Sequence, residues 1–244
     1  MRFNPMTAIN PLFARLSSQI NLGYRCDLLS LLEEKPNAKL LDCGCFNGEF
    51  TSEVAKKIGT KDVCGFDIAS DSLAKARAKG IRVHEGNLND MLPFEQGTFD
   101  VFIANQVIEH LSNTDLFIKE IYRVLRPGGY AVISTPNLAS LPNMMYLLLG
   151  MQPWDASVSD EVVVGSWHPI KQPKLNSPFP VGMVGHRRLF TVPALVGLLQ
   201  YHGLKVERSI GSGYYPIPHP LSKLACLIDK RHSVYITVKV RKNI

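Results

Sequence analysis

Asp42 and Asp67 are the two carboxylates whose setting in the sequence points to chemistry. Asp42 stands in Leu40-Leu41-Asp42-Cys43-Gly44-Cys45-Phe46-Asn47-Gly48, an apolar run that ends in a glycine-containing turn. A strand leaving through such a turn into a helix brings backbone N–H groups and a helix N-terminus toward a ligand, which favours an anionic group. Asp67 closes the next apolar run, Asp62-Val63-Cys64-Gly65-Phe66-Asp67. An ionised carboxylate there can accept hydrogen bonds from both hydroxyls of a ribose. Together they predict a nucleoside site at the carboxyl ends of neighbouring strands. A dinucleotide fingerprint needs Gly-x-Gly-x-x-Gly, and counting from Gly44 the later positions are Phe46 and Glu49. That pattern disfavours NAD.

The elements that must hold these residues alternate. Lys39 to Cys43, preceded by the Lys35-Pro36-Asn37 turn signal, reads as the first buried strand. Phe50, Val54 and Ala55 recur at helical spacing before Gly59, and Asp62 to Asp67 is the second strand, which completes one βαβ unit. Ser70 is the expected N-cap of a helix over 71–79, with Gly80 as its left-handed terminus. Ile81 to His84 and Phe99 to Ala104 are further strands. Asn113 or Ser112 caps a helix carrying Leu116, Phe117, Ile121, Val124 and Leu125, which Pro127-Gly128-Gly129 stops. Tyr130 to Thr135 is the fifth strand. Regularity is lost between Leu138 and Arg188, a stretch with six prolines and both tryptophans, Trp154 and Trp167. Thr191 then caps a helix ending at Gly203, followed by strands from Leu204 and from Ser233, the last alternating as an antiparallel edge would. The pattern predicts an α/β fold: a doubly wound, mostly parallel seven-stranded sheet, helices on both faces, and an antiparallel C-terminal strand.

Length and composition narrow the class. The 244 residues suit one domain over 1–244, with a helical N-terminal segment 1–35 and an insertion 139–188 expected to serve as acceptor pocket or lid. The longest apolar run, Met144 to Met151, is far short of the roughly 20 residues that cross a bilayer. The N-terminus lacks the continuous apolar stretch of a secretory signal, so a cytoplasmic location is expected. Five cysteines include no Cys-x-x-Cys and no Cys/His cluster with zinc-ligand spacing; they read as reduced thiols, and no metal is expected. The formal charge of +6 owes much to Lys223, Lys230, Arg231, Lys239, Arg241 and Lys242 near the C-terminus, a set that reads as a solvated basic face.

The ordered motifs resemble the class I S-adenosylmethionine-dependent methyltransferases. The similarity runs from Leu41-Asp42-Cys43-Gly44-Cys45-Phe46-Asn47-Gly48 through Asp67, Gly86-Asn87-Leu88, Leu92-Pro93-Phe94 and Phe99 to Asn105. It continues with Glu109-His110-Leu111, Glu120 to Gly129 and Ser134-Thr135-Pro136-Asn137, and is weaker from Gly185 to Gly203. Phe46 departs from the family's middle glycine.

The resemblance implies a Rossmann-like methyltransferase fold, S-adenosylmethionine as cofactor and S-adenosylhomocysteine as product. It implies that Gly44, Cys45 and Gly48 approach the methionine moiety, that Asp42 supports the turn, and that Asp67 holds the ribose. Ile68 would flank the adenine, Asn87 and Leu88 would meet its edge with an amide facing the amino group, and the Asn105 carbonyl would take the cofactor's amino group. His186, in Gly185-His186-Arg187-Arg188-Leu189-Phe190, is the first candidate base, with a hydrogen-bonded structural histidine as the competing role; His168 is the second. Arg187 and Arg188 suit an acidic group on the acceptor or plain surface exposure. The expected reaction is in-line methyl transfer to a small molecule, similar to the quinone-biosynthesis-like O-methyltransferases. An RNA-directed methyltransferase and a non-catalytic cofactor-binding regulator are the alternatives; nucleic acid is disfavoured because Ala104-Asn105-Gln106-Val107 lacks the Asn/Asp-Pro-Pro-aromatic element of amino-methylating base enzymes.

Overall fold

The computed structural model describes residues 20, 23–153, 155–159, 164–165, 185–218 and 220–243. After a helix over 23–29 (α1) come β1 (Lys39–Cys43), α2 (Glu49–Ile58), β2 (Asp62–Asp67), α3 (Ser70–Ala78), β3 (Arg82–Glu85) and β4 (Phe99–Asn105). A single 3-10 turn, Ile108–His110, leads to α4 (Thr114–Val124), β5 (Leu125–Pro136) and α5 (Leu141–Leu148). The chain closes with α6 (Val192–Tyr201), β6 (Leu204–Ser212), α7 (Leu221–Ile228), a second 3-10 turn, Lys230–His232, and β7 (Tyr235–Lys242). The seven strands form one sheet in the order β3-β2-β1-β4-β5-β7-β6. β1 to β5 pair in parallel, while β7 runs antiparallel to both β5 and β6, as the alternation of its sequence predicts.

Side chains alternate across the central strands and so build two cores. Leu40, Val101, Ile103 and Val132 pack with Leu28, Val54, Ile58 and Ala76 of α1, α2 and α3. Their neighbours Leu41, Phe102, Ala104 and Ile133 pack with Phe117, Ile121, Leu195 and Leu199 of α4 and α6. Because both faces are covered, the parallel strands read as continuous apolar runs rather than alternating ones.

Three local expectations are corrected. Ser70 lies inside the first turn of α3 rather than capping it; the cap is Ala69, and the Ser70 hydroxyl donates to Glu85 Oε1 at 2.7 Å. α4 ends at Val124, and Leu125 is already extended and paired with Phe99, so β5 runs through Pro127-Gly128-Gly129 instead of starting at Tyr130. Proline disfavours helical geometry at the residue before it, which explains an end ahead of Arg126. α5 forms within the stretch that looked irregular. The expected caps Asn113 and Thr191 accept from Leu116 N and Ala194 N. Most of the expected N-terminal segment 1–35, and Trp154, Trp167 and His168, lie outside the described residues.

Asp100 fastens the amino end of the sheet. Its carboxylate accepts from Lys35 Nζ at 2.8 Å, Lys39 N at 2.8 Å and Arg126 Nη1 at 3.0 Å. Burial alone would raise its pKa, but these donors together hold it below the ordinary carboxylate value of 3.8. A depressed folded pKa adds stability above the unfolded pKa that is lost as pH falls through the folded value. Asp100→Asn should therefore destabilise the protein by about 1–3 kcal/mol at neutral pH, with the difference from the parent shrinking below pH 3.8; chemical denaturation across pH measures both.

Candidate functional site

The sheet order reverses direction between β1 and β4, and at such a switch point the loops leaving adjacent strands part to open a crevice. A cavity of about 620 Å³ lies there, within the range of small-molecule sites. Of the residues singled out from the sequence, Asp42, Gly44, Cys45, Asp67, Ile68, Asn87, Leu88 and Asn105 line it.

Gly48 does not. It adopts φ +74° to turn the chain into α2, and a Cβ there would stand 2.6 Å from Ile81 Cδ1 and 3.0 Å from Ala76 Cβ. Its glycine serves the packing of the turn on α3. Gly44 is the one that lets backbone approach the cavity: at φ +81° it donates to Phe66 O at 2.7 Å, and a Cβ would fall 2.3 Å from Val107 Cγ2.

Asp67 ties two turns together. Its Oδ2 accepts from Phe46 N at 2.8 Å and its Oδ1 from Ala69 N at 2.9 Å. Phe46 stands at φ +47°, the left-handed geometry that a middle glycine would adopt more readily. Asp42 Oδ2 accepts from Thr51 Oγ1 at 2.6 Å and so joins β1 to α2, whereas Oδ1 is buried with no hydrogen-bond partner among the described residues. Burial pushes the Asp42 pKa up to about 7; the Thr51 hydrogen bond opposes the rise and the Asp67 charge adds to it.

Asn87 is oriented by an unambiguous donor. Its Oδ1 accepts from Asn89 N at 2.9 Å and from Asn89 Nδ2 at 3.0 Å, which leaves its NH2 group as the remaining polar edge. Asn89 Oδ1 in turn accepts from Ser112 N and Asn113 N, fixing this loop to the start of α4.

Several lining residues escaped sequence reasoning. Tyr24 and Arg25 reach the cavity from α1, and the Tyr24 hydroxyl is 3.1 Å from Ser134 Oγ, which donates to Asn105 Oδ1 at 2.8 Å. Gln106 takes φ +57° directly after β4 and also borders the cavity. No periodic or motif signal marks them, since their role comes from contacts between distant segments.

His186 stands apart from this cavity. It borders a smaller one of about 420 Å³ with Ser112, Ser157, Ser159, Arg187 and Arg188. The link between the two is His110, which lines the main cavity and whose ring centre is 5.0 Å from that of His186. His110 Nδ1 hydrogen-bonds Gly185 O at 3.2 Å and His186 Nδ1 hydrogen-bonds Asp155 O at 2.9 Å. A carbonyl only accepts, so each Nδ1 carries a proton, and in the neutral ring each Nε2 presents the lone pair. Glu109 is buried beneath them, and neither of its oxygens has a hydrogen-bond partner among the described residues. Ligand atoms of Glu109, His110 and His186 all lie within 4.8 Å of one another, so the group could also hold a divalent cation. Spacing along the chain gave no sign of this, because His186 lies far from the other two in sequence.

The comparisons with known proteins agree with this geometry. Residues 41–133 match the methyltransferase domain family. That match covers less than half of the chain. A trans-aconitate 2-methyltransferase of Deinococcus radiodurans is 30% identical over 113 residues, 45% of this chain and 42% of that protein. A ubiquinone biosynthesis O-methyltransferase of Colwellia psychrerythraea is 24% identical over 221 residues, 88% of this chain and 80% of that protein. The chain spans about two fifths of the length of the first curated relatives it matches. The solved S-adenosylmethionine-dependent methyltransferase of Mesorhizobium loti shares the fold, with a TM-score of 0.60 at 18% identity over 89% of this chain and 96% of that one.

S-adenosylmethionine is the cofactor named for a Mycolicibacterium smegmatis relative, 37% identical over 101 residues, 40% of this chain and 38% of that protein, and for the Mesorhizobium loti structure. The cavity suits that molecule in size and charge. It offers a carboxylate with spare lone pairs at Asp67 and, at Asp42, a buried carboxyl oxygen that has no hydrogen-bond partner among the described residues and suits a cationic group.

Burial pushes the Glu109 pKa from 4.5 up to about 8. The folded protein then holds a proton that the unfolded chain has released, so stability falls as pH rises from 4.5 to about 8. Glu109→Gln should flatten that part of the stability profile, measured by denaturant unfolding in the presence of a chelator.

Proposed function

We propose that this protein transfers a methyl group from S-adenosylmethionine to a small-molecule acceptor, and that the atom methylated is a hydroxyl oxygen. The reading is carried by Asp67, whose two oxygens are each fixed by a backbone N–H at the rim of the cavity yet keep lone pairs for a vicinal diol. Bound S-adenosylmethionine supplies a methyl group already activated on a sulfonium. The chain's own task is then to align donor and acceptor and to exclude water.

In this reading Asp67 accepts from the ribose hydroxyls, and Ile68 and Leu88 supply apolar contact for the adenine. Asn87 donates its free NH2 to a ring nitrogen; its oxygen is already occupied, so it does not accept from the adenine amino group in the way the sequence suggested. Gly44 and Cys45 lie along the methionine moiety. Asp42 Oδ1 and the Asn105 carbonyl take the cofactor's ammonium, which would lower the raised Asp42 pKa.

A hydroxyl must lose its proton for attack on the methyl group, whereas an amine needs only its free-base form. His186 is assigned as the base, with Nε2 made the accepting atom by the Nδ1 hydrogen bond to Asp155 O. His110, between His186 and the cavity, positions it. A polar pocket with Arg187 and Arg188 beside the base suits an acceptor bearing an acidic or hydroxyl group. The oxygen specificity named for the Colwellia relative, aligned over most of both chains, supports the same choice.

Asp67→Ala should weaken binding of S-adenosylmethionine by about 1–3 kcal/mol through loss of charge-assisted hydrogen bonds. Titration calorimetry reads this directly, and an unchanged affinity removes the ribose assignment. His186→Ala should leave cofactor affinity unaltered and slow turnover of a hydroxyl acceptor by about a hundredfold or more. A labelled-methyl assay measures that rate, and a variant as fast as the parent rules His186 out as the base.

A further inference from the structure

Helix α7 is turned inside out. Its buried positions include Ser222 and Cys226, while Leu221, Leu224, Leu227 and Ile228 point to solvent, the last two at 77% and 81% exposure. A surface helix ordinarily buries its apolar stripe, so one that presents leucines at three- and four-residue steps outward is built to meet another apolar phase. Helix α5 repeats the feature with Met145, Leu147, Leu148 and the following Leu149 exposed, Leu148 at 80%.

Topology places the two helices at one end of the molecule. α5 follows the carboxyl end of β5 and α7 the carboxyl end of β6, and these strands run the same way because each is antiparallel to β7. A hydrogen-bonded junction joins the two regions: Asn137 Nδ2, just ahead of α5, donates to Arg231 O and Ser233 O, just after α7, each at 2.7 Å.

Charge decides what this apolar surface meets. Of the six basic residues near the C-terminus, Lys239 and Arg241 are paired with Glu33 and Glu207, and Lys242 donates to Leu125 O inside the fold. Lys223, Lys230 and Arg231 are the exposed remainder: Lys223 lies within α7, and Lys230, whose Nζ also donates to Ser209 Oγ at 2.7 Å, and Arg231 lie just after it. Residues 141–153 contain no acid. The one acid between 213 and 233, Asp229, already accepts from Tyr214, His232 and Arg231 N. An apolar stripe rimmed by lysine and arginine, without free acids, matches an interface of acyl chains under anionic headgroups. Among the described residues no helix is long and apolar enough to cross a membrane, so contact through these faces is peripheral.

We propose that α7, together with α5, docks this protein on the surface of an anionic lipid bilayer, with Leu221, Leu224, Leu227 and Ile228 inserted among the acyl chains and Lys223, Lys230 and Arg231 at the headgroups. The surface stands independently of the methyl-transfer reading.

Vesicle co-sedimentation of the full chain tests it, with phosphatidylcholine vesicles compared with vesicles that also contain phosphatidylglycerol. The parent should sediment with the anionic vesicles and several-fold less with the neutral ones, and added salt should narrow the gap. Leu224→Asp with Leu227→Asp should cut binding by about tenfold or more, and Lys223→Ser with Arg231→Ser should abolish the preference for anionic lipid. Every substituted side chain is exposed, and circular dichroism verifies that the variants fold. Leu148→Asp on α5 gives the same reading from the second helix. Absence of binding to either vesicle, or aspartate variants that bind as the parent does, overturns the proposal. So does a dimer of the parent that Leu224→Asp dissociates, since a second copy would then be what covers the face.

Discussion

Each oxygen of Asp67 accepts a backbone N–H from a different turn, and the candidate site depends on that double attachment. The turn after β1 must carry Phe46 at φ +47°, a geometry that costs an L-residue about 1–2 kcal/mol. A hydrogen bond to a carboxylate contributes about 1.5–3 kcal/mol, enough to offset the strain. A glycine at this position would remove the cost, yet the aspartate makes it unnecessary. The same bond also fixes where the Asp67 side chain lies. The apparent defect in the glycine motif and the orientation of the Asp67 carboxylate are therefore one interaction seen from its two ends.

The two ends of the sheet treat buried carboxyl groups in opposite ways. At the amino end Asp100 collects Lys35, Lys39 N and Arg126, and its pKa is depressed. At the carboxyl end, among the described residues, one oxygen of Asp42 and both of Glu109 have no hydrogen-bond partner, and burial raises both pKa values, to about 7 and about 8. Leaving a buried polar group unsatisfied is costly, and folded proteins accumulate such groups where a ligand or a reaction will use them. Stability is concentrated at one end of the parallel strands and unmet hydrogen-bonding capacity at the other, where the cavity opens.

What could be read in the sequence was local. Strands β1, β2 and β4 coincide with short apolar runs closed by turn residues, and the caps Asn113 and Thr191 announce their helices. The set Asp42, Gly44, Asp67 and Asn105 follows from strand ends, which sequence places well. At Gly48 a positive φ is visible as a glycine, but whether that glycine makes room for a ligand or for Ile81 is decided by a helix elsewhere in the chain. Tyr24, Gln106 and the His110–His186 pair are non-local for the same reason. The start of β5 was obscured because Pro127-Gly128-Gly129 signals a break, while a bulge opposite Phe99 lets the strand pass through it. α5 and α7 lack the polar outer face by which a surface helix is usually recognised.

The family match stops at residue 133, and the candidate base lies well beyond it. Something must then carry the precision of the strand ends over to a loop residue, and the Glu109 backbone does this. Its carbonyl accepts from Arg187 N at 2.7 Å and Arg188 N at 3.0 Å, which pins the segment holding His186 to the turn that holds His110. That turn is itself fixed by β4 and by the burial of Ile108. A loop held at two consecutive amides keeps its side chains in register with the scaffold while its sequence is free to vary. The sequence around His186 can therefore change without disturbing the strand ends, which accounts for a family match that ends at residue 133.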